Sequence, residues 1–182
     1  MSTAEKLAMM TPHGLDVDHV PGGVAKLTAL DVAGACGMAG LTKGENALLL
    51  AMYCGDMEAL RQAELTLYLR AVDIAIDRDW KVVRGKEYLR GVCQLAIAEV
   101  VGSHRCRACN GTKFNKHHKT CRRCDGSGME KKPSGRAMAG YIGMPKTTWW
   151  ATWENRYERV LRELQGWHDS GVRKITASLW GE

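Results

Sequence analysis

The chain has 182 residues, 45% hydrophobic and 25% charged, which suits one domain of ordinary size or two small ones and excludes global disorder. Its net charge of +6 is concentrated: residues 105–136 hold ten Lys/Arg against only Asp125 and Glu130, a net +8, so the remainder stands at −2. No stretch approaches the roughly 18 consecutive apolar residues of a spanning helix, and Met1-Ser-Thr-Ala-Glu-Lys opens no signal peptide, so the expectation is a cytoplasmic protein with no membrane partner.

Residues 1–26, with Pro12, Gly14, Pro21, Gly22 and Gly23 and little periodicity, read as a leader. A short helical pattern follows, which Asp31 can cap and which runs through Ala39. Gly34, Gly37 and Gly40 within it suit either close helix packing or a loop. Thr42 and Glu45 form a capping-box pair ahead of an apolar run that stops at Gly55. Residues 56–78 predict one long helix with Met57, Leu60, Leu67, Ala71 and Ile74 on its buried face, widened by Leu65, Leu69, Val72 and Ile76. After a break at 79–85, residues 86–101 predict another helix, burying Leu89, Val92, Cys93, Ala96 and Val100 and ending at Gly102. No alternating run is long enough to predict a strand.

The next segment is Cys106-Arg-Ala-Cys109-Asn-Gly111, then Cys121-Arg-Arg-Cys124-Asp-Gly126-Ser-Gly128. Two Cys-x-x-Cys pairs at this separation wrap opposite sides of a tetrahedral ion, and four thiolates at about 2.3 Å from Zn²⁺ make a closed site with no open coordination position. Gly111 and Gly126, each two residues after a pair, allow turns that aim backbone N–H groups at the sulfurs. Cys106, Cys109, Cys121 and Cys124 are therefore the predicted zinc ligands. His117 and His118 are expected to face solvent, and Cys36, Cys54 and Cys93 read as small buried residues in a reducing compartment.

Ser134 can cap a helix over 135–142; Gly143-Met144-Pro145 is a turn, and Pro145 suits the start of a second helix. Ala139, Gly143 and the buried Trp149 have the spacing of a helix-turn-helix. Trp149, Trp153, Tyr157, Val160, Leu164 and Trp167 keep one apolar stripe, and the helix is expected to end near 166–171, with the remaining tail unassigned. Trp150 lies off the stripe, on a predicted contact surface. Arg105, Arg107, Lys113, Lys116, Lys119, Arg122 and Arg123 are candidates to neutralise phosphates, Arg136 to anchor the first helix to the backbone, and Lys146, Thr147, Thr148 and Trp150 to reach base edges in a major groove. A single pair of this kind has a small footprint, so tight binding calls for a second module, a dimer or a protein partner. Phosphate loops, His-Glu-x-x-His and nucleophile elbows do not occur, so no enzymatic activity is expected.

The fold class expected is mainly α: a helical bundle with an inserted Cys₄ zinc-binding module and a helix-turn-helix-like C-terminal part. The divisions are a leader (1–26), a helical part (27–103), a zinc-binding basic module (104–132), a DNA-binding helix pair (133–168) and a tail (169–182).

The two knuckles, the basic exit and the helix pair carrying Thr148-Trp149, with Ala35-Cys-Gly-Met-Ala39 and Ala51-Met-Tyr-Cys-Gly55 before them, resemble the late-gene antitermination protein Q family of lambda-type bacteriophages over about residues 27–167. The resemblance implies a factor that binds double-stranded DNA at a late promoter and loads onto paused RNA polymerase with its sigma factor. It then travels with the enzyme past terminators, in the cytoplasm of a bacterial host, as a monomer or DNA-induced dimer. It also implies that Cys106, Cys109, Cys121 and Cys124 hold zinc, that the basic module and following helices touch DNA, and that the helical half contacts polymerase. The knuckles are similar as well to those of DnaJ-type co-chaperones, although Lys113 stands where a second glycine is typical and no His-Pro-Asp is present. A zinc-stabilised RNA-binding protein is the third reading.

Overall fold

The computed structural model describes residues 28–80, 86–102, 106, 108–115, 117–129 and 133–180, so the predicted leader, Arg105, Arg107 and Lys116 lie outside the described residues. The protein is mainly helical, and Phe114 and Thr120 form an isolated antiparallel bridge.

The first helix, α1 (Ala29–Met38), starts one turn earlier than expected. Thr28 is its cap: Asp31 N–H donates to Thr28 Oγ1 at 3.3 Å while Asp31 Oδ2 accepts from Thr28 N at 2.7 Å. Asp31 is thus the third-residue partner of a capping box rather than the cap. Gly34 and Gly37 are helical, with nothing within 4 Å of where a Cβ would sit, so they serve no close packing; Gly40 (φ 61°) follows the helix end.

Thr42 and Glu45 form the predicted capping box of α2 (Lys43–Leu49), which passes directly into a π-helical turn, Leu50–Cys54, stopped by left-handed Gly55. Asp56 caps α3 (Met57–Asp77) by accepting from Glu58 and Ala59 N–H. Its buried face is narrower than the apolar pattern suggests: Ala59, Ala63, Leu67, Ala71, Ile74 and Ala75 pack inward, whereas Met57, Leu65, Leu69 and Ile76 are exposed. Four of the six inward residues are alanines, while Leu60 and Val72 pack partly buried against the core. Asp79 (φ 46°) ends α3, with Trp80 N–H donating to Ala75 O and Asp79 N–H to Ile76 O.

Helix α4 (Lys86–Val101) carries Leu89, Val92, Cys93, Ala96 and Ile97 into the core. Ser134 caps α5 (Gly135–Tyr141) as expected. Gly143 (φ 66°) and Met144 close that helix by donating to Gly140 O and Ala139 O, the double bond that turns a chain sharply out of a helix. Pro145 then precedes α6 (Lys146–Thr148), which continues through a π-helical segment, Trp149–Trp153, into α7 (Glu154–Trp180).

Helix α7 does not end near 166–171. Gly171 lies where α2 crosses it, and a Cβ there would sit 2.7 Å from Leu49 Cδ1. Beyond it Ile175 is buried against Val32, Ala35, Cys36 and Leu49, and Lys174 Nζ donates to buried Glu45 at 2.7 Å. The predicted tail is therefore the end of the longest helix, and its glycine marks a close crossing rather than a stop.

One core joins the helical part to the C-terminal part: Leu48, Leu67, Leu89, Val92 and Ile97 pack with Met138, Ala139, Met144, Trp149, Trp153, Tyr157, Val160 and Leu164. The predicted stripe, Trp149 and Trp153 in the π-helical segment and Tyr157, Val160 and Leu164 in α7, is buried in that core, with Trp167 partly buried against it. Arg156 lies between the Trp80 and Trp153 rings, 5.1 and 4.7 Å from their centroids. No helix among the described residues is long and apolar enough to cross a membrane.

Candidate metal centre and basic surface

Cys106, Cys109, Cys121 and Cys124 form a buried cluster of their own, separate from both helical cores. Their four Sγ atoms all lie within 4.8 Å of one another, with Cys106 to Cys121 at 3.9 Å and Cys109 to Cys124 at 3.7 Å. The edge of a tetrahedron with bonds of about 2.3 Å is about 3.8 Å, so these two edges already have the length such a site needs, and the four sulfurs could hold a metal ion. All four cysteines are free of disulfides.

The cage is built twice, fifteen residues apart. Asn110 and Gly111 (φ 50° and 85°) repeat as Asp125 and Gly126 (φ 50° and 76°). Thr112 N–H donates to Cys109 O at 2.9 Å, and Ser127 N–H to Cys124 O at 3.0 Å; each hydroxyl bonds the same carbonyl, at 2.6 and 2.7 Å. The halves clasp each other reciprocally, Cys121 N–H on Lys113 O and Cys106 N–H on Gly128 O, both at 2.9 Å. A Cβ on Gly128 (φ 79°) would stand 2.8 Å from Gly111 O, so the second half needs glycine there. Its counterpart is Lys113, held at φ 70°.

Backbone donors reach the sulfurs as the turn chemistry predicts. Gly128 N–H donates to Cys124 Sγ at 3.3 Å, and the Gly111 and Lys113 N–H groups serve Cys109. Burial raises both thiols, and on Cys109 it wins, pushing that group up to about 11. On Cys124 burial is outweighed by the Gly128 N–H and the adjoining thiols, which bring it down to about 6. A thiolate is the form that binds metal, and the Gly128 N–H favours it on Cys124. By contrast, burial pushes Cys36 up to about 11 and Cys93 up to about 12, and it also raises Cys54, so these three remain neutral thiols.

His117 and His118 face solvent and belong to no ligand cluster among the described residues. They sit at a hairpin tip held by Asn115, whose Oδ1 accepts from His117 N–H at 2.9 Å and Lys119 N–H at 3.1 Å. Lys113, Lys119, Arg122 and Arg123 are exposed on this module. On the helix pair Arg136, Lys146 and Thr147 are exposed, Thr148 is half-buried, and Trp150 is 54% exposed beside a Trp149 that is 1% exposed. Gly135 sits against both tryptophans: a Cβ there would be 2.8 Å from Trp149 Nε1 and 3.1 Å from Trp150 Nε1.

The close approach at Gly128, the tip-closing Asn115 and the exposed Phe114 and Met129 are not evident from the Cys-x-x-Cys pairs alone. The fifteen-residue offset between the knuckles was the available signal, because aligning them pairs Lys113 with Gly128 and Phe114 with Met129. No protein-family model matches the chain, and no curated protein matches it.

Proposed function

We propose that this protein is a DNA-binding transcription factor whose basic module is organised by Zn²⁺, acting as an antiterminator of the kind its knuckles and helix pair resemble. The convergence of four buried sulfurs inside the chain's most basic segment carries this reading. A tetrahedral all-thiolate site suits zinc or an iron–sulfur cluster, and the two Cys-x-x-Cys pairs have the spacing of structural zinc. Bound there, the ion would leave no open position for chemistry. What the chain's own residues contribute is a fixed array of cations.

In this reading Lys113, Lys119, Arg122 and Arg123, with Arg105, Arg107 and Lys116, neutralise phosphates, so affinity falls steeply with salt. Arg136 contacts the backbone, and Lys146, Thr147, Thr148 and Trp150 meet the major groove. The bundle then serves as the face for RNA polymerase and its sigma factor in the cytoplasm of a bacterial host, with the protein a monomer or a DNA-induced dimer.

The test is in vitro transcription through a terminator placed behind a late phage promoter, with metal content measured on the same sample. Readthrough that is lost in Lys146→Ala or Arg136→Ala, with helicity intact, is the expected result. Absence of readthrough together with suppressed aggregation of a denatured client would replace this reading with the co-chaperone one, to which Lys113 lends support by adopting a glycine-like φ of 70°.

A further inference from the structure

Phe114 is the only phenylalanine in the chain, and it is not in the core. It lies 52% exposed on the metal module, and its counterpart in the second knuckle, Met129, is 53% exposed. The ring is borne on a backbone fixed from both sides: Cys121 N–H donates to Lys113 O at 2.9 Å, and Asn115 N–H to Lys119 O at 2.8 Å. These bonds make Phe114 and Thr120 a non-hydrogen-bonded pair of the antiparallel bridge, the type in which facing side chains approach most closely. Thr112 Oγ1 further holds Phe114 O at 3.0 Å. Across the pair, Thr120 is seated on the second knuckle, its Cγ2 2.9 Å from where a Cβ on Gly126 would be. An aromatic ring is thus presented to solvent on a short, cross-braced hairpin.

Its surroundings are cationic. Lys113 adjoins Phe114, Lys119 adjoins Thr120, and Arg122 follows Cys121, all exposed. None of these three forms an ion pair with a described residue. Asp125 is the only acid in residues 106–129. An exposed aromatic among cations that pair with no described acid matches a ligand that alternates flat apolar faces with negative charges. A duplex offers only the charges, because its base faces are stacked away; a single strand offers both.

We propose that Phe114 is a base-stacking residue: the metal module takes an unpaired nucleotide of a single strand, with its base on the Phe114 ring and the flanking phosphates on Lys113, Lys119 and Arg122. This rests on the nucleic-acid reading above and adds a second substrate class to the duplex assigned to the helix pair. Single-stranded DNA and RNA share the chemistry, since every base has a π-face.

The test uses the full-length protein with three probes: oligo-dT and oligo-rU of about ten nucleotides, and a duplex. Phe114→Ala is expected to weaken single-strand binding about tenfold or more, with the salt slope and duplex affinity unchanged. Phe114→Trp is expected to retain single-strand binding. Lys119→Ala is expected to weaken all three probes and lower the salt slope by about one. A Phe114 effect on either the deoxy or the ribo strand supports the proposal and identifies the strand. If Phe114→Ala, with full metal content, weakens strand and duplex alike or neither, stacking is overturned. Loss of duplex binding in Lys146→Ala is scored separately, so the helix-pair reading fails or stands independently of this one.

Discussion

Removing a metal held by the four cysteines should unfold the module and spare the helices. The module's buried cluster consists of the four cysteines alone, whereas the helices bury two sets of apolar residues elsewhere. Asn110, Lys113, His118 and Asp125 hold φ of 50°, 70°, 56° and 50°, a left-handed conformation that costs a non-glycine residue about 1–2 kcal/mol, less for Asn and Asp. A structural zinc supplies an apparent 10–16 kcal/mol or so, enough to hold four such positions; a cluster of four thiols without it is not. Cys124→Ser is the sharpest perturbation, since it removes the sulfur that the Gly128 N–H serves. Amide hydrogen exchange after the substitution, or after chelation, should show lost protection at Cys106 and Cys121, the donors that clasp the two halves, and at Thr112 and Ser127, the donors that close each turn. Amides inside α2, α3, α4 and α7 should keep theirs, and far-UV circular dichroism should barely change. Cooperative loss of helix, or retained protection of Cys106 and Cys121 in metal-free protein, would refute the reasoning.

Other perturbations test separate parts of the structure. Lys113→Gly should relieve the left-handed strain and raise metal-bound stability by about 1 kcal/mol, read by competition with a chelator. Gly128→Ala should do the reverse, because its Cβ would press on Gly111 O at 2.8 Å. Gly91→Ala places a Cβ 2.5 Å from Ile142 Cγ2 and 2.9 Å from its Cβ, a stiff β-branched neighbour. It should cost about 1–3 kcal/mol in thermal unfolding despite alanine's better helix propensity. For Glu45, burial favours the neutral acid, yet the Lys174 ion pair and hydrogen bonds from Thr42 and Ser170 hold its pKa at about 2, below the usual 4.5. The unfolded state therefore binds more protons between these values, so the contribution of about 2–3 kcal/mol is present above pH 4.5 and lost as pH falls through about 2. In Glu45→Gln, helix melting should be weaker at neutral pH and flatter across that window.

What was legible in the sequence follows from range. Most signals completed within four residues are legible: the Thr42–Glu45 box, the Ser134 cap, the turn at Gly143 and the two Cys-x-x-Cys pairs; the Thr28–Asp31 box is the local exception, with cap and partner exchanged. The other errors came where a distant partner decides the outcome. Gly171 looks like a helix stop until Leu49 is placed against it, and the tail looks unassigned until Glu45 is found opposite Lys174. Leu65, Leu69 and Ile76 match the helical period, but four alanines hold most of the inward face of α3. The π-helical turns at Leu50–Cys54 and Trp149–Trp153 left no mark in periodicity, since one inserted residue shifts the stripe by less than its width.

The near-symmetry of the metal module separates what the cage requires from what it merely tolerates. Positions alike in both halves, Asn110/Asp125, Gly111/Gly126 and Thr112/Ser127, all serve the turn or the cross-links. Where the halves differ, the cage is indifferent or working against itself. At 113 and 128 one φ, near 70–79°, is met by lysine in the first knuckle and by glycine in the second. Glycine is the easier choice there, so the lysine is a strained charged residue kept at the surface, next to the exposed Phe114. The left-handed turn at 113 serves the cage, so it is the lysine there, where glycine would cost less, that points toward a use outside the fold. In the single-strand proposal, Lys113 and Phe114 are the first knuckle's share of the contact face and Arg122 the second knuckle's, with glycine at 128 where the first knuckle has lysine.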